Sequence, residues 1–180
     1  MSDITWLLLT YKVPAEPSAR RIAIWRKLKS MGAVYLQNGV CVLPRSDDHL
    51  RRLKMIENDI AEAGGEAVLL QTMALDAAQE ARVVGRFKAG RDEAYAEFID
   101  KCDDFEREVA KEITAGHYSY AELEENDADL KKLQGWLDRI GKLDFYGADR
   151  AEEARTRLKG CEAVLDDYAR RVFDAKGESD

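Results

Sequence analysis

The pair Asn38-Gly39 constrains this chain more tightly than any other feature. It sits between Val34-Tyr35-Leu36-Gln37 and Val40-Cys41-Val42-Leu43, two short runs of β-formers. A type I′ turn needs φ > 0 at both central residues, which Asn and Gly tolerate, so the spacing predicts a hairpin, closed by Pro44. Upstream, Thr5 to Val13 is an apolar run of the kind found in strands packed on both faces, and Pro14 closes it. Pro14 and Pro17 are expected to hold the connection extended, with Ser18 as N-cap of an amphipathic helix. Ile22, Trp25, Leu28 and Met31 recur on that helix at a spacing of three and are expected to face inward; Gly32 supplies the stop.

Ser46 or Asp47 then caps a second helix whose Leu50, Leu53, Ile56 and Ile60 face inward, and Gly64-Gly65 ends it. Glu66 to Met73 reads as a fourth strand. The order β-α-β-β-α-β, with right-handed crossovers, places the first and third strands in the middle of a ferredoxin-like sandwich, residues 1–75. Both helices lie on one face of that sheet. The first strand is apolar on both faces, so the face without helices needs a cover, from the C-terminal half or from a second subunit.

Residues 76–180 carry almost no strand signal and are expected to form an acidic helical region. Val84, Phe87, Tyr95, Phe98, Cys102, Phe105, Val109 and Ile113 trace one stripe of a long helix ending near Gly116, roughly 60 Å long if unbroken by Gly85 and Gly90. Leu123, Leu130, Leu133, Leu137, Ile140 and Leu143 form a second stripe. Ala154, Leu158, Cys161, Leu165, Tyr168 and Val172 form a short heptad seam, and Ala175 to Asp180 should fray. A helical hairpin over residues 120–175, laid back on the long helix, is the economical arrangement. The fold class is therefore α+β.

Charge divides along the chain. Residues 12–54 hold ten Lys/Arg against three Asp/Glu, whereas residues 76–180 hold 18 against 27, within a net charge of −7. Different partners for the two halves are implied. No secretory leader pattern and no 18-residue apolar run is present, so a cytoplasmic protein without membrane insertion is expected. Cys41, Cys102 and Cys161 have no metal-like spacing and fall on apolar faces, as buried free thiols do.

The stretch WLLLTYKVPAEPSARRIAIWRKLKSMGAVYLQNGVCVLP, followed by LDAAQEARVVGRF at 75–87, resembles the N-terminal domain of the ChrB family, regulators of bacterial chromate resistance. The resemblance covers about residues 5 to 110. More distantly, the strand-helix-hairpin pattern is similar to the dimerising domain of PaaX-type repressors and to the small ferredoxin-like CRISPR adaptation protein. It implies transcriptional control of a chromate-efflux operon, a homodimer, and DNA binding by the N-terminal part. Full-length family members carry a second, C-terminal domain credited with chromate sensing. The chain ends at Asp180, so direct chromate sensing is not expected of these residues. The nuclease relatives place a metal-binding Asp near the end of the first strand; here the segment reads Tyr11-Lys12-Val13-Pro14, and a lysine does not ligate Mg²⁺.

For chemistry, the basic helix is the leading candidate. Arg20, Arg21, Arg26, Lys27 and Lys29, with Arg45, Arg51, Arg52 and Lys54, offer phosphate contacts to operator DNA. Such contacts are blind to sequence, and no helix-turn-helix pattern supplies base readers. The competing explanation is an ordinary solvated basic face. His49 and His117 stand in no catalytic constellation; His49 reads as a solvated first-turn residue and His117 as part of a corner. Adjacent acidic pairs such as Asp103-Asp104, Glu124-Glu125 and Asp166-Asp167 diverge on a helix. No enzyme, cofactor or metal site is expected. The alternative function is a protein-protein interaction module that uses the helical stripes and does not bind DNA.

Overall fold

A computed structural model describes residues 3–177. It is α+β: a four-stranded antiparallel sheet with helices, then a helical C-terminal region. The elements are β1 (Thr5–Lys12), α1 (Ser18–Ser30), β2 (Val34–Gln37), β3 (Val40–Pro44), α2 (Asp47–Glu62), β4 (Glu66–Met73), α3 (Ala77–Ala115), α4 (Tyr120–Lys142) and α5 (Ala151–Ala175). Two compact units, residues 1–90 and 91–180, divide the chain within α3.

In the first unit the sheet order is β2-β3-β1-β4, so β1 and β3 are central, as the crossover argument requires. Leu8 faces Val42 on one side and Leu70 on the other, which fixes the register of both central pairings. Leu7 and Leu9 point to the helix-bearing face, where Ile24, Leu28, Leu53, Ile56 and Ile60 are buried. Each such side chain contributes roughly 1.5–3 kcal/mol by leaving water. Ser46 caps α2 by accepting from His49 N at 3.0 Å. His49 itself is half-buried, its Nδ1 donating to Pro44 O at 2.8 Å, so it fastens the helix start rather than standing in solvent.

Two expectations for α1 are corrected. Pro17, in extended conformation, occupies the N-cap, no side chain caps the helix, and Ser18 is the first helical residue. The inward stripe is Ile24, Leu28 and Met31, while Ile22 and Trp25 are 44% and 49% exposed. At 100° per residue a spacing of three drifts by 60° at each step, so Ile22 lies 120° from Leu28, whereas Ile24 lies within 40° of it.

The opposite sheet face is covered unevenly. Trp6 and Val42 are buried on it, but Val68 and Leu70 of β4 are about half exposed. The pairing of β2 with β3 is irregular between Tyr35 and Gln37. There Arg86 Nη1, from the first turns of α3, donates to Tyr35 O at 3.0 Å and Leu36 O at 3.1 Å. Phe87 is buried beside it in sequence.

The second unit is a helical assembly built on the three expected stripes. Tyr95, Phe98, Cys102, Phe105 and Val109 from α3 join Leu130, Leu133 and Ile140 from α4, and Cys161, Leu165, Tyr168 and Val172 from α5, in one core. Leu158 packs against it, so the heptad seam is interior surface. The loop between α4 and α5 is fixed by Asp144, which accepts from Tyr95 Oη at 2.9 Å and from Ala148 N. Tyr168 Oη donates to His117 O at 2.9 Å across the preceding corner. The expected fraying concerns residues 175–180: Ala175 is still helical, and residues 178–180 lie outside the described part.

Candidate nucleic-acid interface

The nine basic candidates all belong to the first unit, and the structure sorts them by partner. On the side of α1 that faces α2, Arg20 Nη1 donates to Glu62 O at 2.8 Å, and Lys27 Nζ meets Asp59 Oδ2 at 2.7 Å. Arg45 is held at the end of β3 by Gln71 Oε1 at 3.0 Å and Asp47 Oδ1 at 3.1 Å. Arg51 and Arg52 share Asp48, one turn earlier on α2. Arg21, Arg26, Lys29 and Lys54 have no hydrogen-bond or ion-pair partner among the described residues. Arg26 and Lys29 lie on the outer side of α1, beside the half-exposed Ile22 and Trp25, whereas Arg21 lies nearly in line with Leu28, toward the end of β1.

Magnitudes rank these groups. An exposed pair such as Lys27–Asp59 holds by about 0.2–1 kcal/mol, so a phosphate can replace the carboxylate at small cost. Arg20 is bonded to a carbonyl and its charge is not neutralised. Arg45 spans two strands' ends and is the most engaged of the set. No hydrogen bond or ion pair links the α1 group to Arg45, Arg51 or Arg52 among the described residues. The sequence named the cations but not this division, because Asp59 and Glu62 lie 32 and 42 positions away from the residues they engage.

One feature of the same unit escaped the sequence reading. Tyr11, Lys12, Arg21, Trp25, Tyr35 and Gly39 line a concavity of about 800 Å³ where the end of β1 meets α1 and the hairpin turn. Tyr11 and Tyr35 hydroxyls are 2.6 Å apart, with their rings edge-on at 6.4 Å. Burial pushes the Tyr11 phenol above its usual range, while the bond to Tyr35 and the charge of Arg21 pull it back. Tyr35 is also pushed up, by burial first and then by its bond to Tyr11, so both stay protonated. The period-two pattern does place Tyr11 on the helix-bearing face, the one available signal.

The remaining titratable residues are spread out. Asp103 pairs with Arg157, whereas its neighbour Asp104 pairs with Arg107 and Lys101, so the two carboxylates diverge as helix geometry requires. His117 is exposed, with Nδ1 3.3 Å from Glu112 Oε2. Among the described residues, no three His, Cys, Asp or Glu side chains converge as metal ligands, and no helix is long and apolar enough to cross a membrane.

Comparison with known proteins adds the lineage. A family model described as Protein ChrB, N-terminal, matches residues 21–179, and so extends through the helical unit as well as most of the sheet. Protein ChrB of Cupriavidus metallidurans is 26% identical over 168 residues, which are 91% of this chain and 47% of that relative. The chain thus spans about half the length of the curated relative it matches. With a family match over most of its length, the chain belongs to the ChrB family and corresponds to its N-terminal region.

Proposed function

We propose that the protein is a regulator of chromate resistance that binds duplex DNA through the outer face of α1, as a homodimer and without catalysis. The observation that supports the DNA reading is the trio Arg21, Arg26 and Lys29, unpartnered among the described residues and exposed along one helix in a chain of net charge −7. Unneutralised cations gathered on one surface gain most from displacing the counterions of a phosphate backbone. Family membership supports the regulatory role. The alternative, an interaction module built on the helical stripes, loses its surface because those stripes fill the core of the second unit.

Fluorescence anisotropy with the protein's own upstream DNA and a scrambled duplex of equal length, across a salt series, tests the reading. Selective binding near physiological salt is expected. Reversing Arg21, Arg26 and Lys29 to Glu should abolish it, and each single neutralisation should lower the salt slope by about 1. Reversing Arg51 and Arg52 should have the smaller effect. Absence of binding at low salt would remove the DNA reading.

A further inference from the structure

The concavity beside β1 has the composition of a ligand site and lies partly outside the nine-residue DNA set. Its position is built into the backbone. Gly39 turns with φ +70°, and a Cβ there would meet Tyr11 O at 2.4 Å; Tyr11 N donates to Gly39 O at 2.7 Å. On the other side of the strand end, a Cβ at Gly65 would meet Lys12 O at 2.3 Å. Two glycines therefore let two turns close directly onto the backbone that carries Tyr11 and Lys12.

The chemistry of the walls is one-sided. Lys12 and Arg21 contribute positive charge with no hydrogen-bond or ion-pair partner among the described residues, and no carboxylate lines the cavity. In the Tyr11–Tyr35 pair one hydroxyl donates to the other, which leaves the acceptor's own O–H free to donate to a guest. Trp25 adds a half-exposed indole to the same wall. A half-exposed Trp beside unpaired cations gives an aromatic ring a stacking surface and gives its anionic substituent charge-assisted donors. The volume, about 800 Å³, lies in the range of small-molecule pockets.

We propose that this pocket binds a small planar organic anion, its ring against Trp25 and its phosphate or carboxylate held by Arg21, Lys12 and a tyrosine hydroxyl. The pocket shares Arg21 with the candidate DNA contacts, whereas Lys12 and Tyr35 belong to the pocket alone.

Isothermal titration of the full chain with AMP, benzoate, adenosine and inorganic phosphate tests it. Saturable binding of AMP or benzoate is expected, identifying a phosphate-bearing or carboxylate-bearing guest respectively. Adenosine and inorganic phosphate, each lacking one half of the recognition, should bind about tenfold or more weakly. Trp25→Ala and the pair Lys12→Gln with Arg21→Gln should each weaken binding by a similar factor. All three positions are exposed, and the variants should keep the native circular dichroism. Tyr35→Phe, on β2 and away from the cations of α1, should weaken binding of the anion and leave duplex affinity unchanged, which separates this site from the DNA surface. No saturable heat from either anion, or equal binding by the parent and by Trp25→Ala, would overturn the proposal.

Discussion

Gly39 sits where the hairpin turn meets Tyr11, and any side chain there collides with a carbonyl in addition to straining a positive φ. Gly39→Ala is expected to lower stability by about 1–3 kcal/mol, read as a lower urea midpoint; an unchanged midpoint would contradict the contact. Cys41 makes a second prediction at this scale. It is 1% exposed, and burial pushes its thiol up to about 12. The unfolded thiol loses its proton near pH 8.5 while the folded one keeps it, so the unfolded state binds fewer protons above that pH. The stabilisation is complete below about pH 8.5 and declines by about 1.4 kcal/mol per pH unit up to about 12. Cys41→Ala should flatten that slope in denaturation curves recorded from pH 8 to 11. Cys161 is held protonated as well, by its bond with Cys102 and by burial. Ellman's reagent should find the native thiols slow at pH 8 and fast in denaturant.

At the scale of elements, the hairpin, the fourth strand and the three stripes of the helical unit were legible from their periods and turn residues. The turn, however, is not the expected type I′: Gly39 has φ +70° and Asn38 does not have a positive φ. Helix α1 was not so legible. Its 13 residues offer two apolar stripes, Ile22–Trp25 and Ile24–Leu28, and the sequence alone does not say which one meets the sheet. In the fold Ile24 and Leu28 are the buried stripe, and Trp25 is turned outward. The candidate site suffered the same way: its charges could be counted in the sequence, but their long-range partners and the Tyr11–Tyr35 pair come only with the fold. Strand β4 yields a prediction of its own. It is an outer strand, and Val68, Leu70 and Met73 are 54%, 50% and 51% exposed. If the proposed homodimer forms here, Val68→Lys with Leu70→Lys should give a monomer by sedimentation without changing the helical signal. A parent that already sediments as a monomer would remove the dimer reading.

For the molecule as a whole, the charge division follows the compact units. Residues 1–90 carry 13 Lys/Arg against 10 Asp/Glu, and residues 91–180 carry 15 against 25. Many of the helical unit's charges are tied up in pairs one turn apart, such as Lys131–Asp127 and Arg171–Asp167, which decorate its surface. The surplus is acidic and repels a polyanion, which leaves the first unit as the basic surface. Its sheet has two ends, and they differ. At β2, beside the irregular pairing, the Tyr35 and Leu36 carbonyls accept from Arg86, whereas among the described residues no side chain is bonded in this way to the β4 backbone from another element. A sheet stopped on one side and open on the other can join a second sheet once and then has nothing further to offer. Arg86 thus occupies two backbone acceptors at β2, and if the proposed homodimer pairs its sheets at β4, that pairing would be expected to close on itself.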